Sequence, residues 1–173
     1  MEVGYTWENV IVRHNVFINQ ESQGFFASTQ HWKSFAIVGN LVVRGGTDQY
    51  YGFHHLGGTI TDLFCYHNTF VAAYAGIRIT SPMVSGYIVN NLFSSDASTA
   101  YGSNFVDYNA TPDGSTPGVH SVRITPSTLS VPLYIPGVAY EGLSSGYDIP
   151  FCDRAFGSLP YHNPTQIGWI NVL

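Results

Sequence analysis

The sequence predicts an all-β protein: a solenoid of about five stacked coils followed by an irregular, proline-rich C-terminal cap. Three observations support this prediction: strand-length segments recur along the chain, an Asn anchors each of them, and the composition suits strands and turns. The 173 residues include 18 Gly, 12 Tyr and 11 Phe, while only 10% are charged. Aromatic residues favour strands, and Gly and Asn favour tight turns.

Five segments of eight residues align on a shared Asn. They are VIVRHNVF (10–17), FAIVGNLV (35–42), LFCYHNTF (63–70), GYIVNNLF (86–93) and NFVDYNAT (104–111). The anchors are Asn15, Asn40, Asn68, Asn91 and Asn109, separated by 25, 28, 23 and 18 residues. A shorter unit follows the first three anchors: GFFAS (24–28), GFHHL (52–56) and GIRIT (76–80). Repeated units of this length with variable loops are typical of solenoids, and stacking pairs their strands in parallel.

Alternate positions before each anchor are mostly apolar, which indicates strands rather than helices. Three places before the anchors stand Val12, Ile37, Cys65, Ile88 and Val106. Two places further back stand Val10, Phe35, Leu63, Gly86 and Asn104. Positions two apart share one face of a strand, so both columns are predicted to form the core. Each Asn is predicted to make a tight turn, because Asn tolerates the left-handed region, and stacked Asn side chains can bond in a ladder.

The elements HNVF, HNTF and NNLF, followed by GFF, GFH and GIR, resemble the right-handed single-stranded parallel β-helix of pectate-lyase-like proteins. The resemblance covers residues 8–111. Beyond them, VDYNAT and the segment 146–169 are similar to the C-terminal coil and closing segment of bacterial members. The resemblance implies an extracellular or cell-surface location, although no signal peptide is visible at the N-terminus.

Residues 1–111 are predicted to form the coils, and residues 112–173 a loop-rich capping segment of the same domain. Eight of the nine prolines follow residue 110, and Pro removes a donor from a strand ladder. The capping segment is expected to contain loops and one or two short strands. The N-terminal coil is expected to lack a cap, and an open edge of strands favours association with another copy.

The positions predicted to point outward are unusually apolar. Four places before the anchors stand Ile11, Ala36, Phe64, Tyr87 and Phe105, and two places before them stand Arg13, Val38, Tyr66, Val89 and Asp107. Large apolar patches are uncommon on monomers, so one interpretation is that the capping segment or another subunit covers this face. The other interpretation is a sugar-binding platform of aromatic rings.

The shorter units predict a polar cluster. His54 and Arg78 both stand two places after a unit's Gly, so they are expected to face outward about 4.8 Å apart on neighbouring coils. With Tyr74 they are candidate catalytic residues, because a lyase acting on a uronate needs charge neutralisation, a base and an acid. The candidate ligand-binding residues are Tyr50, Tyr51, Asp48 and Phe26. The alternative is a surface cluster whose bonds are only structural.

Several classes of function find no support in the sequence. The resemblance implies enzymes with an Asp-Asp pair, a Gly-His-Gly, or a calcium site beside a spaced Arg motif, and none of these motifs is intact here. His14 and His67 lie two coils apart and Cys65 and Cys152 form no metal motif, so neither a metal nor a cofactor is predicted. A net charge of −5 without a basic cluster argues against nucleic acid, and no apolar run reaches the ~20 residues of a membrane span.

The sequence therefore favours a noncatalytic β-helix module that binds carbohydrate, as an oligo- or polysaccharide, or another protein. One alternative is a polysaccharide lyase-like enzyme that acts on acidic glycans. The other is a structural or oligomerising unit that meets another copy through its N-terminal coil or its apolar outer face.

Overall fold

The computed structural model describes residues 5–20, 25–27, 30–44, 51–71, 75–79, 85–93, 105–111, 118–123, 129–130 and 135–136. These residues form strands joined by turns and short irregular segments, and no helix occurs among them. Three of their four sheets are parallel. The all-β class with parallel strand pairing is therefore confirmed.

Each parallel sheet collects equivalent strands from successive repeat units. Sheet A contains, in spatial order, β1 (Thr6–Arg13), β4 (His31–Val38), β7 (Ile60–Tyr66), β10 (Gly86–Val89) and β12 (Phe105–Asp107). Sheet B contains β2 (Val16–Gln20), β5 (Leu41–Arg44), β8 (Thr69–Val71), β11 (Leu92–Phe93), β13 (Ala110–Thr111) and β14 (Val122–Arg123). Sheet C contains β3 (Phe25–Ala27), β6 (Tyr51–His55) and β9 (Ala75–Ile79). A separate antiparallel pair joins β15 (Leu129–Ser130) and β16 (Ile135–Pro136).

The register places equivalent positions of the units side by side. The column three places before the anchors is in register across sheet A: Val12, Ile37, Cys65, Ile88 and Val106. The last four are buried, and Val12 packs against them from the edge. All three sheets contribute to one core, since Phe35 from sheet A, Phe70 from sheet B and Phe53 from sheet C belong to the same cluster. The predicted core column is confirmed.

The long strands of sheet A bend at a left-handed residue that the sequence pattern does not reveal. Asn9, Ser34 and Asp62 have φ angles of 56°, 52° and 56°. Residues three apart on a straight strand face opposite sides. At Ser34 the bend brings both Trp32 and Phe35 into the core, where their ring centroids lie 4.0 Å apart.

The turn from sheet A to sheet B is made by the residue before each anchor. The φ angles there are 53° at His14, 60° at Gly39, 52° at His67, 58° at Asn90 and 55° at Tyr108. The prediction that the anchors themselves adopt this conformation is wrong. The preceding residue turns the chain, and the anchor side chains stay aligned from one strand to the next.

The anchors form the predicted ladder of side-chain amides. The Nδ2 atoms of the first four donate to Oδ1 of the next anchor, over 3.1, 2.9, 2.9 and 3.1 Å. Their backbone N–H groups donate to the same oxygen. In each anchor from Asn40 onward, Nδ2 also donates to a backbone carbonyl of the preceding unit. For example, Nδ2 of Asn40 donates to the Val12 carbonyl oxygen over 2.9 Å. The four anchors from Asn40 to Asn109 are at most 1% exposed, and these hydrogen bonds satisfy their side-chain amides.

Ser121 takes the ladder position after Asn109. The backbone N–H of Asn109 donates to Oγ of Ser121 over 3.2 Å, and β14 then pairs in parallel with β13. Sheet B therefore extends into the segment for which the sequence predicts loops and one or two short strands.

Candidate functional site

The outer face of sheet A carries a group of three aromatic rings, Phe64, Tyr66 and Tyr87, which we call the aromatic face. Phe64 on β7 and Tyr87 on β10 are register partners, and their rings are nearly parallel, at 13°, with centroids 6.3 Å apart. Tyr66 lies on the same side of β7 as Phe64, with ring centroids 6.0 Å apart. Tyr87 is 44% exposed, and the other two rings are partly buried. The three rings present a continuous apolar surface.

Aliphatic side chains continue the aromatic face toward β1. Ala36 and Val38 on β4 are partly buried, and Ile11 on β1 is 64% exposed. At the other end, Val89 and Asp107 are only 1% and 6% exposed. The column two places before the anchors is therefore buried at Val89 and Asp107, whereas Tyr87 in the other outward column stays exposed on β10.

A carboxylate–imidazole pair lies at the β12 end of this face. Oδ2 of Asp107 accepts a hydrogen bond from Nδ1 of His120 over 2.7 Å, which leaves Nε2 as the ring nitrogen that Asp107 does not use. Oδ1 accepts the backbone N–H groups of Tyr108 and His120, both at 2.8 Å. The His120 side chain is 55% exposed, and its ring stacks on that of Tyr108 with centroids 4.5 Å apart. The pair thus combines a buried acceptor with an exposed imidazole.

The environment of Asp107 favours the ionised carboxylate. Burial by itself raises the pKa of Asp107, but hydrogen bonds from the His120 side chain and from two backbone N–H groups lower it, and the net pKa is below its ordinary value. Gly118 is required beside this carboxylate, because its φ is 114° and a Cβ there would collide with Asp107 Oδ1 and the Val106 carbonyl oxygen.

Sequence reasoning missed the Asp107–His120 pair. The two residues are 13 positions apart, and His120 lies beyond the last aligned repeat unit, after a segment with Pro and Gly that has no repeat pattern. The one sequence signal was a carboxylate, Asp107, in an outward column whose three preceding members are Val38, Tyr66 and Val89. That signal did not identify its partner.

A second cluster, on sheet C, contains three of the predicted site residues. His54 on β6 and Arg78 on β9 are register partners, as the sequence predicted. Nη1 of Arg78 donates to the Tyr51 hydroxyl over 2.8 Å, and the guanidinium carbon lies 5.0 Å from the Tyr51 ring centroid. The Tyr51 ring in turn lies 4.7 Å from the ring of His54. Tyr51 thus contacts two of the three predicted catalytic residues, His54 and Arg78.

His54 faces away from the core but is buried. Its neighbour Phe53 belongs to the core, whereas His54 is on the opposite face of β6 and only 4% exposed, beneath a Tyr51 ring that is itself 8% exposed. Burial is the main cause that lowers the pKa of His54, and the charge of Arg78 lowers it further. Near pH 7 the imidazole is therefore neutral, and a polymer in solution has little access to it.

The remaining predicted site residues are placed only in part. Phe26 on β3 pairs through its backbone with His54. Tyr74, Tyr50 and Asp48 lie outside the described residues. Within the described part of the chain, no three His, Cys, Asp or Glu side chains are grouped so that they could hold a metal ion.

A buried histidine to which the sequence assigned no role lies in the core. His55 is 0% exposed, packs edge-on against Trp32 with ring centroids 4.7 Å apart, and donates from Nε2 to the Gln30 carbonyl oxygen over 3.0 Å. Burial lowers the pKa of His55, and this effect outweighs the hydrogen bond to Gln30, which raises it. His55 is thus a neutral, hydrogen-bonded core residue.

Comparisons of the chain with protein-family models, curated proteins and solved structures give no match. The described segments contain no helix of the length and apolarity needed to cross a membrane.

Proposed function

We propose that this chain is a right-handed parallel β-helix module that binds a polysaccharide on the aromatic face without catalysing a reaction. The strand order supports the fold, because from β1 to β9 the chain visits sheets A, B and C in turn, three times over. The ladder from Asn15 to Asn109 supports it as well, since it aligns one position of five successive units. The right hand follows from the general preference of crossovers between parallel strands.

The arrangement of Phe64, Tyr66 and Tyr87 is the observation that carries the binding proposal. Flat aromatic rings pack well against partners with an apolar body and a polar rim, and a sugar ring has that character. Neighbouring strands of a sheet are about 4.8 Å apart, so equivalent side chains recur at short intervals across sheet A. A polysaccharide that crosses the strands would meet Phe64 and Tyr87 in succession.

The low charge of the chain favours a polar ligand that is recognised through rings and hydroxyls. Only 10% of the residues are charged, and the single lysine, Lys33, is paired with Glu8 at 2.7 Å. The Tyr66 and Tyr87 side chains each combine an apolar ring with a hydroxyl that hydrogen-bonds. The Asp107–His120 pair adds a polar group at the end of the face.

The sheet C cluster supports a structural role better than catalysis. The Arg78 guanidinium is already engaged by the hydroxyl and the ring of Tyr51, and His54 is buried beneath that ring. A lyase would need both groups to reach a uronate and the proton on its carbon. This geometry makes binding without turnover the preferred function.

The proposal is tested by screening the protein on a glycan array and titrating the best ligand into the wild type and two variants. Tyr87→Ala removes the exposed ring of the aromatic face, and Leu56→Ala removes an apolar side chain that is equally exposed, at 45%, outside the face. We expect Tyr87→Ala to weaken binding roughly tenfold, which corresponds to about 1.4 kcal/mol, and Leu56→Ala to leave it unchanged.

Two outcomes would contradict this function. The first is equal glycan affinity of the wild type and Tyr87→Ala. The second is release of unsaturated uronate products, followed by ultraviolet absorbance, that stops in Arg78→Ala. The second outcome would assign the chain to the lyase-like alternative.

A further inference from the structure

The imidazole of His120 is held in one orientation at the β12 end of the aromatic face. Nδ1 donates to Oδ2 of Asp107 over 2.7 Å, and the ring lies nearly parallel to that of Tyr108, at 6°. A hydrogen bond and a stacked ring together fix the position and the tilt of the imidazole. The side chain is nevertheless 55% exposed, so this fixed ring is open to a ligand.

The bond to Asp107 also determines what Nε2 of His120 can do. The carboxylate is buried, and its Oδ1 already accepts the backbone N–H groups of Tyr108 and His120. An ionised carboxylate has no proton to donate, so the proton in the bond to Oδ2 belongs to Nδ1. The neutral imidazole therefore carries no proton on Nε2, which acts as a hydrogen-bond acceptor.

His120 lies within reach of a ligand on the aromatic rings. Asp107 on β12 pairs in register with Val89 on β10, and Val89 pairs with Tyr66 on β7. Two strand spacings of about 4.8 Å thus separate the Tyr66 and Asp107 backbones, and Tyr87 lies two residues before Val89 on the strand between them. An oligosaccharide that crosses these rings toward β12 would reach His120 within a few sugar units.

The groups around Nε2 favour a neutral partner that donates a hydrogen bond. A sugar hydroxyl can donate to Nε2, whereas a carboxylate is only an acceptor and would also meet the like charge of Asp107. Of the Lys and Arg side chains on the described strands of sheet A, Lys33 is paired with Glu8, and Arg13 lies on β1 at the opposite end of the sheet. Neither offsets the charge of Asp107.

We propose that His120 determines the specificity of the polysaccharide site: its Nε2 accepts a hydrogen bond from a free sugar hydroxyl, and the site thereby selects a neutral polysaccharide over a uronate polymer. Asp107 is a positioning residue, because it acts through the tautomer and the orientation of His120. This inference rests on the proposed binding of a polysaccharide to the aromatic face, and it names the class of polysaccharide bound there.

NMR of the imidazole nitrogens tests the acceptor without any ligand. At pH 8, where histidine side chains are ordinarily neutral, we expect a proton on Nδ1 and none on Nε2. In Asp107→Asn, the amide oxygen should stay on the two backbone N–H groups and the NH₂ group should face Nδ1, which moves the ring proton to Nε2. A proton on Nε2 of the neutral wild-type ring would overturn the proposal whether or not a glycan binds.

Affinity measurements test the hydroxyl. The probes are an oligosaccharide of the best ligand from the glycan array and derivatives in which one hydroxyl at a time is a methyl ether, which accepts but does not donate. We expect one ether to bind the wild type roughly tenfold more weakly than the parent. The Nε2 resonance should shift when the parent binds, which is a readout that needs no variant.

Three variants complete the design. His120→Phe keeps a ring that can stack on Tyr108, but it should bind the parent roughly tenfold more weakly and no longer distinguish the critical ether. Asp107→Asn should narrow the difference between parent and ether, because Nε2–H can donate to the ether oxygen. His31→Phe is the matched control, since Nδ1 of His31 is bonded to Thr59 at the start of β4, and it should leave the affinities unchanged.

Two binding results would overturn the specificity of His120 while leaving the aromatic face intact. One is an affinity that falls in Tyr87→Ala but not in His120→Phe. The other is a uronate polymer as the best ligand. A failure of the face itself looks different, because Tyr87→Ala would then bind as tightly as the wild type, and that result would overturn both proposals.

Discussion

Asn68 and Asn91 lie 23 residues apart in the chain, yet Nδ2 of Asn68 donates to Oδ1 of Asn91 over 2.9 Å, and both side chains are fully buried. The bond joins strands of two successive repeat units. It lies in the middle of the ladder, which makes Asn68 a sensitive test of the ladder's energetic role.

Asn68→Ala should be strongly destabilising. It removes the Nδ2 donor to the Ile37 carbonyl and to Oδ1 of Asn91, which keeps the backbone N–H of residue 68. It also removes the Oδ1 that accepts from the backbone N–H and Nδ2 of Asn40. Buried polar groups left unsatisfied cost about 1–3 kcal/mol each, so a loss of roughly 3–4 kcal/mol in unfolding free energy is expected. Urea denaturation measures this loss. The exposed position Asn15 provides the control, since Asn15→Ala should lower the unfolding free energy by about 1 kcal/mol or less. Equal losses in the two variants would show that the ladder contributes little.

Substitutions in the turn column should have opposite signs. Gly39 has a φ of 60° and His14 a φ of 53°, in equivalent positions of successive units. A side chain costs about 1 kcal/mol in this conformation, so Gly39→Ala should destabilise the protein by at least that amount and His14→Gly should stabilise it slightly. Thermal unfolding of the two variants checks this. Destabilisation by His14→Gly would mean that contacts of the imidazole outweigh the backbone strain.

The stability of the protein should fall as the pH drops below about 6.5. The pKa values of His54 and His55 are lowered in the folded state, chiefly by burial, from an ordinary value of 6.5. The unfolded chain therefore binds protons that the folded chain does not, and the unfolding free energy decreases with decreasing pH. The slope can approach about 1.4 kcal/mol per pH unit for each histidine, and it should vanish above pH 7. Urea denaturation at several pH values between 5 and 8 measures it.

The double variant His54→Gln, His55→Gln is the control for this pH dependence. Gln retains a donor for the Gln30 carbonyl and does not titrate, so the slope between pH 7 and 5 should be much smaller. The lowered pKa of Asp107 acts in a separate window, where stability is lost only as the pH falls below about 3.8. An unchanged slope in the double variant would assign the effect to other groups.

Cys65 should be unreactive in the folded protein. Burial raises the pKa of its thiol to about 12, although the hydrogen bond from Asn68 lowers it slightly. The thiolate is the reactive form, so it is suppressed at neutral pH. In a Cys152→Ser background, Ellman's reagent should label Cys65 only as fast as the chain unfolds. Rapid labelling under native conditions would show that the core beneath the ladder opens locally.

The repeat columns could be predicted from the sequence because they depend on local patterns. Alternating apolar residues identified Ile37 and Cys65 as core, and the common offset from each Gly placed His54 beside Arg78. The anchors were visible because one residue type recurs at the same place in each unit. To predict these features, it is enough to align equivalent strand positions of successive units.

The rest depends on contacts that no local pattern encodes. The left-handed bends at Asn9, Ser34 and Asp62 involve three residue types within otherwise ordinary strands. Ser121 takes the ladder position after Asn109 with a hydroxyl, only 12 residues further on, so an alignment on Asn does not find it. The burial of His54 follows from the packing of Tyr51 over it, which alternation along β6 does not predict.

The most direct test of polysaccharide binding on the aromatic face is an NMR titration of the protein with the glycan selected on the array. We predict that the ring resonances of Phe64, Tyr66 and Tyr87 shift together and saturate with a single affinity, while those of His54 and Tyr51 remain unchanged. Shifts confined to the Tyr51, His54 and Arg78 cluster, or no ring shifts at saturating glycan, would contradict it.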